Sequence, residues 1–143
     1  MRKNGFTLLE VIFVLGIWSL LILLSAPIQF SILDKQTEEQ FFRTFESDIL
    51  LMQSMSYAAN DKMELKINKN NNHYTIEIDN GKTLIERAFP SDWKIDERLL
   101  GKGVSFNKLG TIKQPGRIKV VTTTSTYHIV FPLGKGRCYI EKQ

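Results

Sequence analysis

Hydrophobic and polar positions divide the chain into three stretches with different periods. From Val11 to Leu33, 23 successive residues include no Asp, Glu, Lys or Arg. As an α-helix this run is about 34 Å long at roughly 1.5 Å per residue, enough to cross a hydrocarbon core of about 30 Å. It predicts a membrane-spanning helix. The next stretch repeats with the helical period: Phe30, Leu33, Thr37, Phe41, Phe45, Ile49, Met52, Met55 and Ala59 recur at a mean spacing near 3.6 residues. Asp34, Glu38, Glu39, Arg43, Glu46 and Asp48 fall off that stripe and suit a solvated face or contacts between neighbouring subunits. One helix from Phe6 to about Ala59 is expected, bent near Pro27 if the proline kinks it. The alternative is that Pro27 ends the membrane span.

Beyond Asn60 the period falls to two. Met63, Leu65 and Ile67 alternate with polar residues, as do Tyr74, Ile76 and Ile78, and the turn-prone residues Lys69 to Asn72 between them predict a β-hairpin. Further strands are expected at Thr83 to Ala88, Gly103 to Asn107, Arg117 to Thr123, Thr126 to Pro132 and Arg137 to Lys142, while Trp93 to Leu100 is ambiguous. The expected fold class is therefore α+β. A long N-terminal helix, membrane-spanning in its first half and amphipathic in its second, packs its stripe on one face of a C-terminal antiparallel β-sheet head.

Composition narrows the function. With 143 residues, 43% hydrophobic and 24% charged, the chain holds one domain of ordinary globular composition plus what its ends add. One cysteine and two histidines exclude a disulfide-stapled miniprotein and the usual four-ligand zinc site. No nucleophile motif, glycine-rich phosphate loop or metal-ligand spacing surrounds His73 or His128, so no enzyme and no cofactor are expected. The adjacent acids Asp96 and Glu97 read as a solvated face, and Cys138 reads as a small buried strand residue.

The N-terminus is more specific. Arg2 and Lys3 before the apolar run favour a cytoplasmic N-terminus with the head outside. Leu24, Ser25 and Ala26 imitate a signal-peptidase site, but Pro27 directly after them makes a poor cut, and no cysteine follows the run to accept a lipid. A generic anchor gives no reason for Glu10, since a carboxylate in a bilayer costs about 2.5 to 3.5 kcal/mol and usually has a partner.

The run Lys3, Asn4, Gly5, Phe6, Thr7, Leu8, Leu9, Glu10, Val11 resembles the leader junction of type IV pilins and pseudopilins. That resemblance implies cleavage by a prepilin peptidase between Gly5 and Phe6, N-methylation of Phe6, and a role for Glu10 in filament assembly. The new ammonium of one subunit would pair with Glu10 of its neighbour, a strong attraction at low dielectric. It divides the chain into a leader at 1–5, a transmembrane and filament-core helix at 6–33, and a globular head at 34–143.

The head resembles minor pilins of the GspH/FimT type, and among them a minor pseudopilin of Gram-positive competence machinery. The matching residues are Ile85, Glu86 and Arg87, the run Val104 to Gly110, Gly116 to Val120, and Tyr127 to Arg137. The implied partners are a major pseudopilin, other minor pseudopilins, the prepilin peptidase, an assembly ATPase and its membrane platform protein. The implied location is the cell membrane and then a surface pilus.

Charge adds a DNA hypothesis. Gly81 to Gln143 carries 12 basic and 5 acidic residues, whereas Phe6 to Asn80 carries 5 and 10. Lys113, Arg117, Lys119, Lys135 and Arg137, near predicted turns, are candidate contacts for DNA phosphates. The Gly134 to Arg137 turn resembles that of DNA-binding FimT-type pilins, but has Lys135 and Tyr139 where arginines are expected. The same basic surface also suits an acidic neighbouring subunit or a cell-wall polymer. The expected function is a non-catalytic subunit that primes or caps a competence pilus for DNA uptake. The alternatives are a type II secretion pseudopilin and a membrane-anchored binding or sensing protein outside any filament.

Overall fold

The computed structural model describes residues 7–58, 62–78, 81–99, 103–134 and 137–143, with side chains for all of these except 25–31 and 98–99. It contains two compact units, Met1–Gln36 and Thr37–Gln143. The expectations at Gly5, Phe6 and Lys135 lie outside the described residues.

Helix α1 runs from Leu8 to Ala58. It starts two residues after Phe6 because Thr7 caps it. The Thr7 carbonyl accepts the Glu10 and Val11 N–H groups at 3.1 and 3.2 Å, and its hydroxyl accepts the Glu10 N–H at 3.3 Å. The order Thr-x-x-Glu is the sequence form of a capping box, with Glu10 at the third helical position. The helical assignment continues through position 27.

In the first unit every described side chain from 7 to 24 is exposed, including Phe13, Leu15 and Trp18. Here the sequence expectation needs correction: among the described residues, no helix is long and apolar enough to cross a membrane. The membrane-spanning half of the fold class falls with it. So do the transmembrane helix, the cell-membrane location and the single-pass placement with an external head.

The second unit packs the rest of α1 with eight strands. These are β1 (Met63–Asn68), β2 (His73–Ile78), β3 (Lys82–Ala88), β4 (Lys94–Leu99), β5 (Val104–Ser105), β6 (Gly116–Val121), β7 (Thr126–Phe131) and β8 (Tyr139–Lys142). They form two four-stranded antiparallel sheets where one was expected, in the orders β3-β2-β1-β5 and β4-β6-β7-β8. The chain builds β1 to β3 in the first sheet, places β4 in the second, returns for β5 and finishes in the second.

The predicted hairpin is present, with Met63, Leu65 and Ile67 opposite Ile78, Ile76 and Tyr74. Its turn is set by Asn68, whose Oδ1 accepts the N–H groups of Asn70 and Asn71, and by Asn72 at φ 52°, a left-handed conformation that asparagine tolerates. The ambiguous segment after Trp93 is a strand, β4.

Core side chains come from every layer: Phe42, Phe45, Ile49 and Met52 from α1, Leu65 and Ile76 from the first sheet, and Ile118, Val120, Ile129 and Phe131 from the second. Phe41 links them as an aromatic hub, edge-on to Trp93 at 5.0 Å and to Tyr74 at 6.1 Å. The outermost strands give little to pair with. Register shifts interrupt the β2–β3 and β4–β6 ladders, β5 has two residues, and β8 has four.

Because Ile49 is 1% exposed at the centre of this core, Ile49→Ala is expected to lower the unfolding free energy by about 2–5 kcal/mol. Chemical denaturation of the full chain measures it. A loss below about 0.5 kcal/mol, the level of surface substitutions, would contradict the seating of α1 described here.

Candidate functional site

The most constrained polar groups of the head are two carboxylates on α1, and the sequence pattern had put both on the solvated face. Asp48, 5% exposed, accepts the Tyr74 hydroxyl at 2.8 Å and is bound by Arg87 through Nε at 2.7 Å and Nη2 at 3.2 Å. Tyr74 and Arg87 are direct cross-strand partners on β2 and β3, so one register pair supplies both donors. Burial and the bonded Asp48 raise the Tyr74 phenol well above its ordinary range, and the same carboxylate raises Arg87.

Glu38, 1% exposed, faces the second sheet. Its Oε1 accepts the Thr124 hydroxyl at 2.7 Å and its Oε2 the Tyr127 hydroxyl at 2.8 Å. Burial favours the neutral acid, but hydrogen bonding outweighs it and holds the carboxyl below its usual range. Tyr127 lies on β7 and Thr124 in the tight β6–β7 turn. There the Thr122 hydroxyl donates to the Ser125 carbonyl at 2.9 Å and accepts the Ser125 N–H at 3.0 Å.

The signal for Glu38 was present in the spacing. The fully buried side chains of α1 are Glu38, Phe42, Phe45, Ile49, Met52 and Ser56, which alternate steps of four and three, with Asp48 beside Ile49. The expected stripe ran through Thr37, Phe41 and Met55 instead, one residue off at each. In the structure Thr37 is exposed, and Phe41 and Met55 are half-buried.

The described candidate DNA contacts stand on β6 and on the segments before β6 and β8. Lys113, Arg117, Lys119 and Arg137 are all exposed. Arg117 and Lys119 share the outer face of β6, where Ile118 and Val120 point inward. Lys119 lies in register between Asp96 on β4 and His128 on β7, with Glu141 opposite His128 on β8. Across the sheet the row reads acid, base, imidazole, acid. Arg137 instead lines an open groove with Leu50, Leu51, Tyr57 and Leu109, where Gln53 Nε2 donates to the Gly110 carbonyl at 2.6 Å.

Glu10 is exposed in the first turn of α1, where the partial positive charge of the helix N-terminus favours a carboxylate. His73 stands 3.6 Å from Glu86 across the outer face of the first sheet, and His128 Nε2 contacts Gln143 Oε1 at 3.4 Å. Cys138 is half-buried, its thiol pushed up to about 11 by burial and then by Glu46. Among the described residues, no group of three or more His, Cys, Asp or Glu side chains could hold a metal ion.

Removing Asp48 strands the buried Tyr74 phenol while the exposed Arg87 keeps its water, so Asp48→Ala is expected to destabilise the chain by about 1–3 kcal/mol. Thermal unfolding of the full chain measures this, and an unchanged midpoint would show that the Tyr74–Asp48–Arg87 contact carries no stability.

No family model matches the chain. Competence protein ComGD of Bacillus subtilis (strain 168) is 28% identical over 142 residues, covering 99% of this chain and 96% of that protein. In fold, the head resembles the minor pseudopilin EpsH of the Type 2 Secretion System of Vibrio cholerae. The TM-score is 0.52 at 8% identity, over 71% of this chain and 91% of that one. The chain is thus similar over nearly its whole length to a competence protein and shares the fold of a minor pseudopilin.

Proposed function

We propose that the chain is a minor pseudopilin of a competence-type filament, acting in the capture and uptake of DNA for transformation. The observation that carries this reading is likeness to a competence protein over 99% of the chain, joined to a leader-type junction at the N-terminus. A prepilin peptidase removes residues 1–5 and methylates Phe6. The residues from Phe6 to about Leu33 enter the filament core, and the head stays on its outside.

Glu10 supports the reading through its position. An exposed carboxylate one turn into the helix stands close in sequence to where cleavage would leave a free ammonium, so neighbouring subunits can pair acid with amine. The partners are the major pseudopilin, sibling minor pseudopilins, the peptidase, and the assembly ATPase with its platform protein. DNA contact through Lys113, Arg117, Lys119, Lys135 and Arg137 is the finer part of the proposal. The mixed charge row around Lys119 weakens it at β6, which leaves Lys135 and Arg137 as the better pair.

The likeness in fold to a secretion pseudopilin supports a second reading, in which the filament serves protein secretion. Deleting the gene separates the two: transformation is expected to fail with secretion intact, and the reverse phenotype favours the second. Glu10→Ala is expected to leave synthesis unchanged and impair filament assembly, read by the amount of subunit in sheared filaments. Wild-type assembly in that variant, or mass spectrometry finding Met1 on the mature chain, would overturn the filament reading. Charge reversal at Lys135 and Arg137 is expected to weaken salt-sensitive DNA binding, and an unaltered binding curve would remove the DNA contact.

A further inference from the structure

α1 is fastened to the two sheets by different chemistry. On the first sheet Asp48 meets a cation, Arg87, as well as the Tyr74 hydroxyl. On the second sheet Glu38 is held by the hydroxyls of Thr124 and Tyr127. Among the described residues Glu38 is also the first buried side chain of α1, positions 32–37 being exposed. Its donors belong to a hairpin of two six-residue strands closed by a tight turn.

We infer that Glu38 is a releasable latch. Its carboxylate holds the β6–β7 turn against the start of the buried helix, and neutralising it frees that turn while the Asp48–Arg87 fastening keeps the first sheet in place. A neutral acid offers weaker acceptors than a carboxylate, and the Tyr127 hydroxyl is then left poorly partnered in a half-buried setting. Release uncovers the aromatic surface beneath, where the Phe42 ring lies 4.4 Å from Tyr127 and stacks at 6.1 Å on Trp93. The latch stands whether or not the chain builds a filament.

The pH sense follows from the surroundings of Glu38. Ionisable groups in its surroundings include Glu39 on α1, Tyr127 on β7, and Lys142 on β8, whose ammonium lies 5.6 Å from the Tyr127 ring. Hydrogen bonding lowers the Glu38 pKa on folding, so its contribution is complete above the ordinary carboxylate value and is lost as pH falls through the folded value. Acid opens the latch.

Hydrogen exchange read by mass spectrometry on the full chain, kept dispersed in mild detergent, tests this. In Glu38→Gln, amides of β6, β7 and the first two buried turns of α1 should exchange at least about 5-fold faster relative to β1–β3. Asp48→Asn should show the opposite regional pattern. In the wild type, acidification should reproduce the Glu38→Gln pattern, and Glu38→Gln should add no further acid step. Unchanged β6–β7 protection, or a uniform rise across all strands, overturns the latch. If Glu38→Gln does not fold, Thr124→Val and Tyr127→Phe each remove one donor and should give the same pattern at smaller size. If neither shows that pattern, the inference fails.

Discussion

The head depends on one constraint: a single helix must serve two sheets at once, and each sheet grips it through a buried carboxylate as well as through apolar packing. Asp48 and Glu38 are ten residues apart, close to three helical turns, yet they answer to different sheets. Apolar contact is non-directional, so the core alone would tolerate small rotations of α1. Two hydrogen-bonded acids do not. Tyr74 and Arg87 fix the helix against β2 and β3, and Thr124 and Tyr127 fix it against the β6–β7 turn, so rotation about the helix axis breaks one set or the other.

The two acids also explain how two sheets behave as one head. Among the described residues no strand pair joins them, and the chain crosses between them on either side of β4 and again after β5. What unites them is the shared core around Phe42, Phe45, Ile49 and Met52, with Phe41 and Trp93 closing its edge in an aromatic cluster. Aromatic pairs at such separations add about 0.5–1.5 kcal/mol each beyond burial. The polar fastenings then supply the orientation that this packing leaves free.

Much of this architecture was legible in the sequence, for identifiable reasons. The period-two runs at Met63–Ile67 and Tyr74–Ile78 face a core on one side only, so alternation revealed both strands and their pairing. The division into two sheets was not legible, because alternation shows which face of a strand is buried and says nothing about its neighbour. β4 escaped because Lys94 to Leu99 mixes charges into both faces of an edge strand. The helix stripe was misread by one residue at Phe41 and Phe42, where adjacent aromatics give no phase. Glu38 was passed over because charge is ordinarily a sign of solvent. Glu10 was found by its isolation in an apolar run, and its place in a capping box with Thr7 was readable from spacing alone.

The outer strands carry a consequence for copies held at high local concentration. Every sheet border is either kinked by a register shift or too short to template another strand, so heads pressed side by side have no continuous backbone rim to zip together. Cross-β aggregation, the standing hazard of β-rich surfaces at high local concentration, is blunted by the geometry of the rims. Copies can sit shoulder to shoulder and still come apart.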